Sequence, residues 1–291
     1  MENTRTKTTR NSLILLLTAA IWGMAFVSQS KGMDYMHPFT FNGVRSLIGA
    51  ASILVYILIS RKIAGDKATP LDWKLNVKAG LLCGIFLTIA STLQQFGIKY
   101  TSVGKAGFIT TLYIIFVPMF GIFLKKKVAP VVWAAAVMAA VGMYLLCMTE
   151  SLRLGAGDIM VFLCAIAFAI QIMTVDHYAA RIDGAVVSCI QFTVCGVVCC
   201  IGALIWGQPT FGQLQEGLGA LLYAGVLSCG VGYTLQIVGQ KGLNPTVAAL
   251  IMSLESVIAT ISGWIAYKIG FLTTDQTLTA RQIAGCVIVF A

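Results

Sequence analysis

Glu255 is the single charged residue between Gly242 and Tyr267. A carboxylate at the centre of an apolar helix costs roughly 2.5–3.5 kcal/mol on insertion scales. A chain that keeps one there needs a chemical use for it or a structural partner. Two uses fit: a counter-charge for a cation, and a reversible proton acceptor, because desolvation favours the neutral form. The structural reading is a hydrogen-bonded carboxylate that pins this helix to a neighbour. Arg45 is likewise the single charge in 40–60. Its long stem suits a polar plug or snorkel to the headgroups; its guanidinium suits a substrate carboxylate, or Glu255 itself. His37 and His177 both adjoin loops, where surface histidine is the default.

Further polar residues recur at helical spacing. The stripes are Thr18, Trp22, Ala25, Gln29; Gly84, Thr88, Ser91, Gln95; Ala106, Thr110, Tyr113, Val117; Ala167, Gln171, Thr174; Cys229, Tyr233, Gln236, Gln240; and Met252, Glu255, Ala259, Ser262. Amides and carboxylates are costly against lipid, so these stripes face inward. Small and hydroxylic members also serve close helix packing. Trp22 and Tyr233 fall at membrane depth, where aromatics fill a core or wall an organic cation. The substrate-binding set expected from sequence is therefore Trp22, Gln29, Arg45, Gln95, Tyr113, Gln171, Tyr233, Gln236 and Glu255.

What must position these residues is a membrane bundle. The chain of 291 residues is 58% hydrophobic and 11% charged, against about 25% charged for soluble domains. Runs 12–30, 79–98, 106–124, 128–149, 159–175, 184–206 and 217–240 hold no Asp, Glu, Lys or Arg. With 40–60 and 242–267 they make nine segments near the ~20 residues that cross the hydrocarbon core. A tenth begins at Gln282 and is expected to be truncated at Ala291. The net charge of +9 is not a nucleic-acid signal, because the basic residues sit in short loops. With the N-terminus inside, the inner segments hold Arg5, Lys7, Arg10, Arg61, Lys62, Lys67, Lys74, Lys78, Lys125, Lys126, Lys127, Arg181 and Lys241. The outer ones hold Lys31, Lys99, Lys105, Arg153, Lys268 and Arg281. That excess predicts a cytoplasmic N-terminus by the positive-inside rule. The cysteines lie in apolar runs and read as small hydrophobes, neither disulfide nor metal site. No phosphate-binding G-x-x-x-x-G-K-[ST] run is present, so neither ATP hydrolysis nor any cofactor is expected.

The chain also resembles itself. Shifted by 142 residues, 93–121 falls on 235–263: Leu93 meets Leu235, Gln94 meets Gln236, Gly97 meets Gly239, Lys99 meets Lys241, Leu112 meets Leu254 and Gly121 meets Gly263. Five spans per half is odd, so the halves enter the membrane from opposite sides. Such inverted repeats are a signature of secondary transporters.

The stretches AAIWGMAFV (19–27), HPFTFNGVR (37–45), GIKYTSVGKAGFITTLYIIFVPMFGIFLKKK (97–127), VGMYLLCM (141–148), MSLESVIATISGW (252–264) and QIAGCVIVFA (282–291) resemble the EamA-like family of the drug/metabolite transporter superfamily. The resemblance implies an all-α integral membrane protein of ten transmembrane helices in two inverted five-helix repeats, 1–150 and 151–291. It also implies a cavity among helices one to four and six to nine, with five and ten peripheral. One departure is AYKIGFLTTDQ (266–276), where family members often carry a Leu-Gly-Glu turn. The expected function is secondary active export of a small organic metabolite, such as an amino acid, across the plasma membrane by alternating access, with proton coupling possible at Glu255. The chain's partners would be that solute and the lipid bilayer, not nucleic acid; oligomeric state is open. The alternative is a non-transporting receptor or structural membrane protein. An intramembrane enzyme is disfavoured, since no H-E-x-x-H or paired aspartates occur.

Overall fold

A computed structural model describes residues 4–65, 70–124, 130–147, 155–273 and 275–290. The charges at Lys67, Lys125, Lys126, Lys127 and Arg153, and the end at Ala291, lie outside the described residues. Among those described, the chain is helical with short connections and holds no strand. Eight helices are long and apolar enough to cross a membrane: α1 (Lys7–Gly32), α2 (Pro38–Ala64), α3 (Trp73–Ile98), α4 (Val103–Phe123), α6 (Ala156–Tyr178), α7 (Gly184–Gly207), α8 (Leu218–Gln240) and α9 (Pro245–Lys268). Two shorter ones are α5 (Pro130–Cys147) and α10 (Ala280–Phe290). The outer surface is apolar at positions such as Leu58, Leu204 and Ile205, as a lipid-facing surface requires.

Local chemistry sets where the helices start. Ser102 accepts the Lys105 amide (3.3 Å), Asp183 that of Ala185 (2.9 Å), and Asn244 that of Thr246 (2.9 Å). Each satisfies an amide that the first helical turn leaves without a partner. His37 and Asn244 are each followed by proline at the first helical position, where no amide hydrogen is needed.

α4 and α9 each break in mid-course. At Leu112 the ladder tightens to i→i−3 bonds, Leu112 to Ile109 (3.2 Å) and Ile115 to Leu112 (2.9 Å). α9 does the same where Leu254 bonds Ile251 (3.3 Å) and Ser256 bonds Ser253 (3.1 Å). The Thr111 hydroxyl donates to the Phe108 carbonyl (2.9 Å), and the Ser253 hydroxyl to that of Leu250 (2.7 Å). Leu112 and Leu254, Ile109 and Ile251, Thr111 and Ser253, Phe108 and Leu250, and the caps Ser102 and Asn244 are each 142 positions apart, while the second i→i−3 bond of α9 falls one residue earlier than that of α4. α8 is irregular too, running through wide π-type turns over Tyr223–Gly232, a feature often found at functional sites.

α1 packs against α8 and α9, α2 against α7 and α8, and α3 against α6 and α7; α4 contacts α6 and α9, and α5 contacts α10. Exchanging α1–α5 with α6–α10 leaves this pattern unchanged. Contact is closest where a side chain is missing. A Cβ on Gly23 would sit 2.6 Å from the Ile258 Cβ and 2.8 Å from the Glu255 carbonyl oxygen, so only glycine lets α1 lie this close to the break in α9.

Candidate functional site

The broken helices carry Tyr113 and Glu255 to the middle of the bundle. The Tyr113 hydroxyl donates to Glu255 Oε1 at 3.1 Å, and both residues are buried. They face a narrow cavity with Trp22, Gln29, Arg45, Gln171, Tyr233 and Gln236 on its wall. The space open to the centre of a water-sized sphere is ≈ 30 Å³, room for two or three waters at roughly 10–15 Å³ each.

Arg45 is 5% exposed, so it does not snorkel to the headgroups. Its Nε donates to Asn42 Oδ1 (3.0 Å) and its guanidinium lies over the Phe41 ring, 5.5 Å from the centroid. Arg45 and Glu255 wall the same cavity but form no ion pair with one another. Gln171 and Gln236 exchange amide hydrogen bonds of 3.2 and 3.5 Å. Trp22 packs on Tyr233 with centroids 4.5 Å apart, and its indole N–H reaches the Ser228 carbonyl at 3.4 Å. Phe192 closes edge-on against Tyr233 at 4.9 Å. Gln29 Oε1 is buried without a hydrogen-bond partner, leaving an acceptor for a donor that enters.

Gln95 stands apart from the other expected residues. It is fully buried and its Nε2 donates to the Gln29 main-chain carbonyl (3.2 Å), which ties α3 to α1 rather than lining the cavity. The cavity face of α3 is instead Leu87, Ser91 and Gln94, with Gln94 donating to the Thr110 hydroxyl (3.2 Å). Adjacent helical residues point about 100° apart, so choosing Gln95 over Gln94 selected the neighbouring face. Gly84, in the expected stripe, packs on Val194 and Gln191 of α7. The phenylalanines Phe26, Phe168 and Phe192 also wall the cavity; sequence reasoning from polar stripes passes over them. The 142-residue offset would have found two of them, since Phe26 and Phe168 match.

That offset organises much of the wall. Phe26 and Phe168, Gln29 and Gln171, Leu87 and Cys229, Ser91 and Tyr233, Gln94 and Gln236, and Tyr113 and Glu255 are equivalent pairs, and all face the cavity. Arg45 has Val187 as its equivalent and so breaks the pattern. Outside the helices, His37 caps α2 by accepting the Phe39 amide (3.4 Å), with its ring against Phe96. It does not reach the cavity.

Comparison with known proteins agrees with this architecture. The chain is 28% identical over 281 residues to an uncharacterized transporter of Archaeoglobus fulgidus, covering 94% of this chain and 83% of that one. It is 27% identical over 256 residues to the uncharacterized transporter YwfM of Bacillus subtilis, covering 87% and 84%. A protein of known crystal structure shares the fold with a TM-score of 0.72 at 17% identity, covering 97% of this chain and 94% of that one. The model of the EamA-like transporter family matches twice, at residues 10–148 and 155–291. This chain, a multi-pass membrane protein, belongs to the EamA-like transporter family.

Proposed function

We propose that this transporter is a secondary active exporter of small zwitterionic metabolites, amino acids in the first instance, working by alternating access. The observation that carries the reading is the placing of Arg45 and Glu255 on one buried cavity without a mutual ion pair. A guanidinium matches a carboxylate with paired donors. Glu255, with the Gln29 acceptor and the Trp22–Tyr233 wall, suits an ammonium group. The two or three waters' worth of space is too small for such a solute, so loading requires the helices to part. The breaks in α4 and α9 are where they would do so, as discontinuous helices surround the midplane sites of many transporters. Glu255 would exchange a proton for the solute, which couples export to a gradient without ATP or another cofactor.

The architecture we infer is ten spans in two inverted halves, 1–150 and 151–291, with α5 and α10 peripheral and the N-terminus cytoplasmic in the plasma membrane. Support comes from the packing pattern that survives exchange of the halves, and from the paired breaks of α4 and α9. The chain then acts as a carrier, not an enzyme. The test is counterflow of a panel of radiolabelled amino acids in proteoliposomes under imposed pH gradients. Uptake of at least one amino acid that depends on the gradient is expected, and is abolished by Arg45→Gln. Equal flux in protein-free liposomes across the panel rules the reading out.

A further inference from the structure

Away from the central cavity, two further cavities lie end to end along α2 and α8 and together form a groove. The deeper part, ≈ 390 Å³, is apolar, bounded by Ile53, Val226, Val231 and Leu235. The second, ≈ 330 Å³, lies at the helix ends beside Arg61 and Lys241. Tyr56, Thr234 and Val238 line both, so the two adjoin.

The groove has the polarity of a phospholipid. From Ser52 to Arg61 along α2 is about 13 Å at ~1.5 Å per residue, close to half of a ~30 Å hydrocarbon core. Apolar walls occupy the deep portion and cations the end at headgroup level. Among the described residues Lys241 has no carboxylate partner; its Nζ donates to the Ile182 carbonyl at 3.2 Å. Asp183, the acid in the groove, is engaged as the cap of α7 by the amides of Ala185 (2.9 Å) and Val186 (3.1 Å). Val226 and Val231 are open to the surroundings at 36% and 39% exposure, which gives an acyl chain lateral entry.

We infer that this groove is a binding site for an anionic phospholipid, one acyl chain lying along Ile53 and Val231 and the headgroup phosphate meeting Lys241 and Arg61. Basic pockets between helices at the membrane surface select anionic headgroups in this manner. The inference does not depend on the transported solute.

Native mass spectrometry of the purified full chain, titrated with dioleoylphosphatidylglycerol or dioleoylphosphatidylcholine, tests it. Preferential retention of phosphatidylglycerol is expected. Lys241→Gln should weaken it about fivefold, the worth of one basic residue near a charged lipid surface. Val238→Trp, which fills the junction and leaves both charges, should weaken it as well, and decides the matter if Lys241→Gln does not fold. Lys62→Gln, an exposed charge beside the groove, should leave retention unchanged. Equal retention of the two lipids, an equal loss in Lys62→Gln, or competition by millimolar inorganic phosphate alone would overturn the proposal.

Discussion

Glu255 accepts from one hydroxyl, and that contact separates its two roles. In Tyr113→Phe the carboxylate stays and its donor is lost; in Glu255→Gln the hydrogen bond can remain but the charge cannot. If Glu255 carries the proton, Glu255→Gln folds with a near-parental denaturation midpoint and exchanges solute at a rate that no longer varies with pH. Tyr113→Phe keeps a pH dependence, displaced along the pH axis. A Glu255→Gln variant with parental rate and parental pH profile makes the carboxylate structural. The Gln171–Gln236 pair is a separate case. Removing one amide leaves the other short of partners. Gln171→Leu and Gln236→Leu should each lower the denaturation midpoint, and the double variant should recover part of the loss. The coupling expected is about 0.6–1.7 kcal/mol, the range of hydrogen bonds between membrane helices; additive single effects would show that the pair is not coupled. The charged and amide residues of this site were legible in the sequence because burying them in lipid is expensive. Gln95 shows the limit: two adjacent glutamines give no periodicity that says which of them faces the cavity, and it is the packed bundle that turns Gln94 to the cavity and Gln95 to the Gln29 carbonyl.

Eight of the nine expected spans were legible as segments with at most one internal charge, since length and hydropathy decide a span; the run expected over 128–149 is a shorter helix, Pro130–Cys147, outside those eight. The interruptions of α4 and α9 were not legible. Nothing in LYIIF or LESVI announces a break, because neither stretch holds a glycine or proline; the proline of α4, Pro118, lies six residues past Leu112. The close approach of α1 to α9 rests on Gly23, and the clash of an added methyl with the Glu255 carbonyl gives a graded prediction. Gly23→Ala should destabilise by about 1–3 kcal/mol, the usual range for overpacking, and disturb transport as well. Gly107→Ala, whose Cβ would meet that of Ala259 at 3.2 Å, should be milder; the reverse order would contradict this packing. At the start of α2, burial holds the His37 imidazole below its ordinary range, with Lys99 acting in the same direction. The unfolded chain, titrating near ~6.5, then binds more protons than the folded one as pH falls through 6. The helix cap is therefore fully effective above that range and weakens below it. His37→Asn, which also caps well, should flatten the fall in thermal midpoint between pH 7.5 and 5.5; an unchanged slope would place the titrating group elsewhere.

For the bundle as a whole, the loop charges make orientation testable. Single cysteines placed in 125–127 of a cysteine-free chain should label with an impermeant maleimide only from the cytoplasmic face; labelling confined to the outer face reverses the topology. The Tyr113–Glu255 contact joins positions separated by the same 142 residues that relate the two halves of the chain. If each half once existed alone and paired with a copy of itself, residues that touch at equivalent positions had to be identical: two tyrosines or two glutamates, facing each other across the seam. Two carboxylates there would repel, and two phenols would offer no charge. In such a history, fusing the halves into one gene would release this position from self-matching, so that one copy could become the acid and the other its donor. The exchange Tyr113→Glu with Glu255→Tyr should then preserve the fold better than Tyr113→Glu alone, which sets two acids side by side; thermal midpoints of the two variants give the answer, and an equal loss in both would deny the seam its symmetry.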